Sequence, residues 1–253
     1  MSDRRRILFG AGYTPQAKAL FAAMSAKPTP TRMNLYNGLI LSLRTSGLWA
    51  NLDALYLMAA HDEQAGRLNI VAPSTFTLTG SPTFTTDRGF TGNGSSTYLE
   101  TGFDPTVGTR KYTQDSAFIS GWSLTNRNSA VNEFLFGGLS NAFLMPRVST
   151  NANARMHSGN SISASVADSL GHYVLTRNGA TREIIKNGVS LVSGSQGSAA
   201  LTPAQTIQFL ASSGSGFAPH QIASGAIGGG LTVAQAATFY TIINTYLVAA
   251  GAV

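Results

Sequence analysis

Carboxylates, imidazoles and serine hydroxyls are the groups in this 253-residue chain that could do chemistry, and their spacing is the first thing to test. Sandwich-type glycanases use two carboxylates facing each other across a groove, commonly from alternating positions of one strand. Glu100, Glu133 and Glu183 each stand alone, and Asp104 follows Glu100 by four residues beyond a glycine turn. The histidines at 61, 157, 172 and 220 are widely separated, and none has a helical i, i+4 partner of the kind a zinc helix carries. His61, Asp62 and Glu63 form the densest titratable cluster, and they read as the opening of a short helix whose first turn favours acids. No Gly-x-Ser-x-Gly elbow occurs, since Gly214, Ser215 and Gly216 fall in a loop. Gly89, Gly92 and Gly94 precede a strand rather than a helix and so do not make a phosphate loop. Asp87 and Asn93 beside them lack the alternating oxygen pattern of a calcium loop. The chain therefore reads as non-enzymatic, with no catalytic, metal-binding or cofactor-binding residue and no cofactor.

The elements around these residues are mainly β. A helix capped by Thr14 with Pro15 at its first position is followed by the breaker Lys27 to Pro30. A second helix is expected from about Thr31 to Ser46 and ends at Gly47. The apolar run Ala54 to Ala59 has the length of a buried strand. Further strands are expected at 76–78, 83–84, 96–101, 116–122, 133–136, 142–148, 154–157, 172–177, 182–186, 189–192, 207–211 and 221–227, with Gly89, Gly92, Gly94 and Gly102 as turns. Asn187 and Gly188, between Ile184, Ile185 and Val189, Leu191, specify a two-residue type I′ hairpin. Thr232 and Gln235 form a capping box that opens a last helix to about Ala250, whose apolar face is broader than a lone surface helix needs. The expected organisation is an arm and helical hairpin over residues 1–50, a cap or docking module, then a β-sandwich over 51–253 closed by the C-terminal helix.

Composition narrows the partners. Charged residues are 11% of the chain against 43% hydrophobic, too apolar for disorder and poor in surface charge, which favours packing into an oligomer or a larger assembly. The formal charge of +6 is spread singly except at Arg4 to Arg6 and Arg110, Lys111, unlike a nucleic-acid-binding face. No apolar run approaches the roughly 20 residues of a membrane helix, so no membrane insertion is expected. Ile7 to Phe9 are too short a stretch for a signal peptide, which implies a retained, cytoplasmically made N-terminus. There is no cysteine.

Three groups of residues carry a family resemblance. The first is Leu48 to Leu57, followed by Arg67 to Asn69, Asp87 to Gly94 and Tyr98 to Gly102. The second is His172 to Leu175 with the Asn187, Gly188 hairpin, and the third is the ending from Ile222 through the capped helix. Together these resemble concanavalin A-like or laminin G-like jelly-roll domains of tailed-bacteriophage virion proteins. The resemblance implies a structural protein of the virion, of tail-fibre or baseplate type, that attaches to other virion subunits and contacts host surface glycans. A head decoration protein, a lectin module and a polysaccharide-degrading enzyme are the alternative readings. On this reading Arg4, Arg5, Arg6, Ile7, Leu8 and Phe9 are the candidate docking residues. Tyr112, Trp122 and Phe217 are the candidate glycan contacts, each weighed against ordinary core or turn packing.

Overall fold

In the computed structural model, residues 12–138 and 141–253 are described, so the Arg4 to Phe9 docking candidates lie outside the described residues. The chain opens with α1 (Pro15–Ala23) and α2 (Pro30–Thr45), each begun by a threonine whose side chain accepts a backbone N–H, with proline at the first helical position. Thr29 and Pro30, expected to belong to the breaker, are the cap and first residue of α2. Gly47 ends α2 with φ +76°, its N–H donating to the Arg44 carbonyl. After β1 (Leu52–Tyr56), Asp62 caps the short helix α3 (Glu63–Arg67), in line with the acidic opening read there.

The remaining strands are β2 (Thr77–Thr79), β3 (Thr83–Thr85), β4 (Gly89–Thr91), β5 (Tyr98–Glu100), β6 (Ser116–Ser123), β7 (Phe136–Gly138), β8 (Ala142–Val148), β9 (Asn151–Met156), β10 (Ile162–Ser165), β11 (Gly171–Asn178), β12 (Thr181–Lys186), β13 (Val189–Ser195), β14 (Ile207–Phe209) and β15 (Gln221–Gly228). They form two antiparallel sheets. One has the order β13-β12-β11-β6-β15-β4-β3, with β1 also on β15; the other has the order β10-β9-β8-β7-β14-β5-β2. Asn187 and Gly188 take φ +51° and +79° and join β12 to β13 through Lys186 and Val189, the hairpin expected from the sequence. The helix α4 (Val233–Ala249) opens with the complete Thr232, Gln235 capping box.

The molecule has three layers. Between the sheets lie Tyr56, Phe76, Leu99, Ile119, Leu144, Leu175, Phe209 and Ile227. On the other side of the eight-stranded sheet, Leu55, Phe118, Trp122, Val174 and Ile185 pack against Leu20, Tyr36, Ile40, Phe239 and Ile243 of the helices. Its central strands are thus buried on both faces, which is why β1 reads as an unbroken apolar run. The helical hairpin and α4 form one layer, so the apolar breadth of α4 is used against α2 as well as against the sheet. Among the described residues no helix is long and apolar enough to cross a membrane.

Two strands depart from the sequence reading. Gly89, taken for a turn, begins β4 at φ +95°. A Cβ there would lie 2.1 Å from the Ile222 carbonyl oxygen, so the glycine permits close pairing with β15. β10 is a four-residue edge strand whose one large apolar residue, Ile162, is too weak a signal to announce it.

Gly225 on β15 pairs directly with Gly121 on β6, and the Phe209 ring from the opposite sheet presses into the space over Gly225. A Cβ on Gly225 would meet Phe209 Cζ at 2.4 Å. Gly225→Ala is expected to destabilise the protein by about 2–3 kcal/mol, and Phe209→Leu in the same chain to recover part of the loss. Urea unfolding of the two single variants and the double variant checks this; additive losses would refute the contact.

Candidate functional site

The helical layer seals the outer face of the eight-stranded sheet, leaving the outer face of the seven-stranded sheet as the broad sheet surface available to a ligand. Period-two alternation decides what that surface carries. Leu99, Leu144 and Ala154 point into the core, so Tyr98, Glu100, Phe143, Asn153 and Arg155 point out. The pairing register sets Thr77, Glu100, Gln208, Gly137, Phe143 and Arg155 side by side in one row across six strands.

A loop over residues 211–217 lies across the middle of this row. The space above Gly137 is filled by the Ser212 side chain, and the Gly214 N–H donates to Gln208 Oε1 at 2.9 Å. Two open zones flank the loop. In one, Tyr98 and Phe217 stack with ring centroids 6.1 Å apart at 30°, beside Thr77, Thr79 and Glu100. Glu100 accepts from Gln208 Nε2 at 2.9 Å and from the Gly102 N–H at 3.0 Å. In the other zone, the Arg155 guanidinium lies 5.4 Å from the centroid of Phe143, which in turn packs edge-on against Phe134 at 5.2 Å. Half-buried Asn151 and Asn153 and exposed Ser163 complete it. Aromatic rings among amides and hydroxyls suit the apolar faces and hydroxyl groups of a sugar.

Of the three aromatic candidates from the sequence, only Phe217 reaches this surface. Tyr112 is fully buried and its hydroxyl lies 2.7 Å from His157 Nε2. Trp122 is buried on the helix side, stacked on its cross-strand partner His172 at 5.5 Å and on Tyr240 at 5.5 Å. Both are core residues and cannot touch a glycan. Tyr98, Phe143 and Arg155 were missed; their signal is the strand alternation in which each separates two core residues.

The polar constellations elsewhere are closed. Ser123 Oγ lies 3.0 Å from His220 Nδ1, and His220 Nε2 is 3.8 Å from Glu133, an order that resembles a nucleophile relay. Ser123 is fully buried, however, and its hydroxyl donates to the Thr125 carbonyl. Glu133 is held in a two-pronged bond by Arg127, at 2.9 and 2.7 Å. Burial pushes the Glu133 carboxyl up, but the bonds and charge of Arg127, with Ser129 and His220, outweigh it and hold it below the usual range. Burial brings the His220 imidazole down to about 4. The network ties the 124–133 loop to the end of the sandwich.

Asp87 pairs with Arg32 at 2.6 Å, and Asn93 Oδ1 accepts three backbone N–H groups, so the oxygens weighed for a cation are already engaged. Among the described residues no group of three or more His, Cys, Asp and Glu converges as a metal site. On the helical layer, a shallow apolar groove of about 370 Å³ runs between α2 and α4, lined by residues including Leu35, Gly38, Ile242 and Thr245.

No family model matches the chain, and no curated protein matches it. Solved structures share its fold. The sialidase of Trypanosoma rangeli, in complex with sialic acid, superposes with a TM-score of 0.58 at 11% identity over 85% of this chain and 39% of its own. The botulinum neurotoxin serotype D binding domain gives 0.54 at 10% identity over 76% of this chain and 52% of its own. The binding domain of Paraclostridial Mosquitocidal Protein 1 gives 0.51 at 13% identity, over 76% and 52%. The chain spans about half or less of the length of these proteins. At these identities the likeness is one of fold, an antiparallel β-sandwich.

Proposed function

We propose that the protein is a non-enzymatic recognition module of a tailed-bacteriophage virion, binding surface glycans through the outer face of its seven-stranded sheet. The observation that carries the glycan reading is the asymmetry of the sandwich: one sheet is sealed by helices, and the other presents Tyr98 and Phe217 on one side and Phe143 on the other among amides and hydroxyls. Solved sandwiches of similar fold include binding domains of toxins, which supports recognition as the task. The virion placement is supported by the sequence resemblance over residues 48–102, 172–188 and 222–250. The helical layer, with Leu41 and Val248 exposed, is then the side that meets other virion subunits.

A glycan array probed with the full chain tests recognition. Binding of at least one oligosaccharide is expected, and Tyr98→Ala or Phe217→Ala is expected to weaken it about tenfold if that zone is used. An array with no binding would sink the glycan reading. Antibody labelling of intact particles in the electron microscope tests the placement, and particles without label would remove the virion role.

A further inference from the structure

We infer that the glycan this face takes is an acidic one, a saccharide carrying a carboxylate that pairs with Arg155. The inference rests on the glycan-binding reading above and names its substrate class.

Arg155 is a cation set on an aromatic shelf. It is the direct cross-strand partner of Phe143, and one Nη reaches only a long contact, 3.4 Å, to Asn141 Oδ1. Its Nε is buried without a hydrogen-bond partner, so the Nη groups are the ones a ligand can reach. Among the described residues no carboxylate lies within ion-pair distance of it. Glu100, the acid in the same row, is four strands away, about 19 Å at the usual spacing and beyond the screening length of physiological salt.

Positive charge is also built in behind it. Arg177 and Arg182 are directly opposed on β11 and β12, an arrangement that is destabilising for like charges. They are 0% and 3% exposed and bond to neutral partners: the Met156 and Gln196 carbonyls for Arg177, Ser158 and the Asn160 carbonyl for Arg182. The one acid near them, Asp115, sits 3.7 Å from Arg177 Nε with its side chain 62% exposed, where solvent screens it. Arg182 feels the charges of Arg177 and, more weakly, of Arg155, and of the three only Arg155 lies on the open face.

A planar guanidinium held over a ring presents its two Nη groups as a fork that a carboxylate matches and a hydroxyl does not. Half-buried Asn153 and exposed Ser163, cross-strand partners beside it, would meet the hydroxyls of the same sugar. A neutral glycan would leave the cation without a counter-charge.

The test titrates the full chain with related pairs that differ in charge, sialyllactose against lactose and trigalacturonate against its methyl ester. At least one acid is expected to bind about tenfold or more tighter than its neutral partner, with the preference shrinking as salt rises from about 0.05 to 0.5 M. Arg155→Gln is expected to erase the preference while leaving the thermal unfolding midpoint in place, and Arg155→Lys to keep part of it. Equal binding of acid and neutral forms, or a preference that survives in Arg155→Gln, overturns the inference and leaves glycan recognition standing. No binding by any member of a broad acidic and neutral array overturns both.

Discussion

Acidification from pH 7 to 4.5 is expected to remove about 7 kcal/mol of stability, a large share of the stability of many domains, because three imidazoles are buried in the neutral form. Burial lowers His157 to about 4, against bonding from the Gln114 carbonyl and with Arg177 and Asp115 nearby. Burial lowers His220 to about 4 beside Glu133 and Arg127. Burial alone lowers His172 to about 3, within its stack of Trp122, Phe239 and Tyr240. Each folded value lies below the ordinary 6.5, so the unfolded chain binds more protons. The stability is therefore fully present above pH 6.5 and is lost as pH falls toward 4 and 3. By pH 4.5 each histidine accounts for about 2.5 kcal/mol of the loss.

Urea midpoints at pH 7.5, 5.5 and 4.5 measure the effect, and His172→Phe isolates one contributor. Both ring nitrogens of His172 lack a partner, so phenylalanine retains the stack and is expected to flatten the pH dependence by about 2.5 kcal/mol. A flat profile in the wild-type chain would show that these imidazoles are solvated.

Arg177→Ala is expected to cost about 3–5 kcal/mol, in spite of removing a buried like-charge pair. The guanidinium holds the Met156 carbonyl at 3.0 Å and the Gln196 carbonyl at 2.6 Å, and it closes the end of the sandwich where β9 meets β11. Alanine would leave both carbonyls unpaired in a cavity the size of one of the largest fully buried side chains. Arg182→Met, which retains the apolar stem and relieves the repulsion, is expected to cost less than half as much. Thermal unfolding of the two variants decides the order. The reverse ranking would mean that repulsion, rather than carbonyl bonding, dominates that corner.

Local signals in the sequence specify most of the elements. Thr14, Thr232 and Gln235 announce helix starts, and Asn187 with Gly188 announces its hairpin, because the groups that satisfy the backbone there lie within a few residues. Strand neighbours are another matter. β15 pairs with β1, β4 and β6, up to about 175 residues away, and no short-range pattern encodes that choice. The strand at Gly89 was hidden because its glycine serves close approach to β15 rather than a turn. The expected strand 133–136 begins only at Phe136, since Glu133 is drawn away by Arg127.

The candidate site was legible only in part. Aromatic residue type alone pointed to Tyr112 and Trp122, which fill the core. Alternation through Ala142, Phe143, Leu144 and through Ala154, Arg155, Met156 carries the outward-facing residues, but which outer face stays open depends on where the helices settle. That outcome follows from the packing of α1, α2 and α4 together on one sheet.

The covered sheet also separates two kinds of selection. Residues of the central strands of the eight-stranded sheet answer to two cores at once, so nearly every exchange there is felt in stability. Tyr98, Asn153, Arg155 and Ser163 project from strands whose inward neighbours already fill the core. Their identities can drift, one position at a time, with little loss of fold. A molecule built this way can change what it recognises without first having to become more stable.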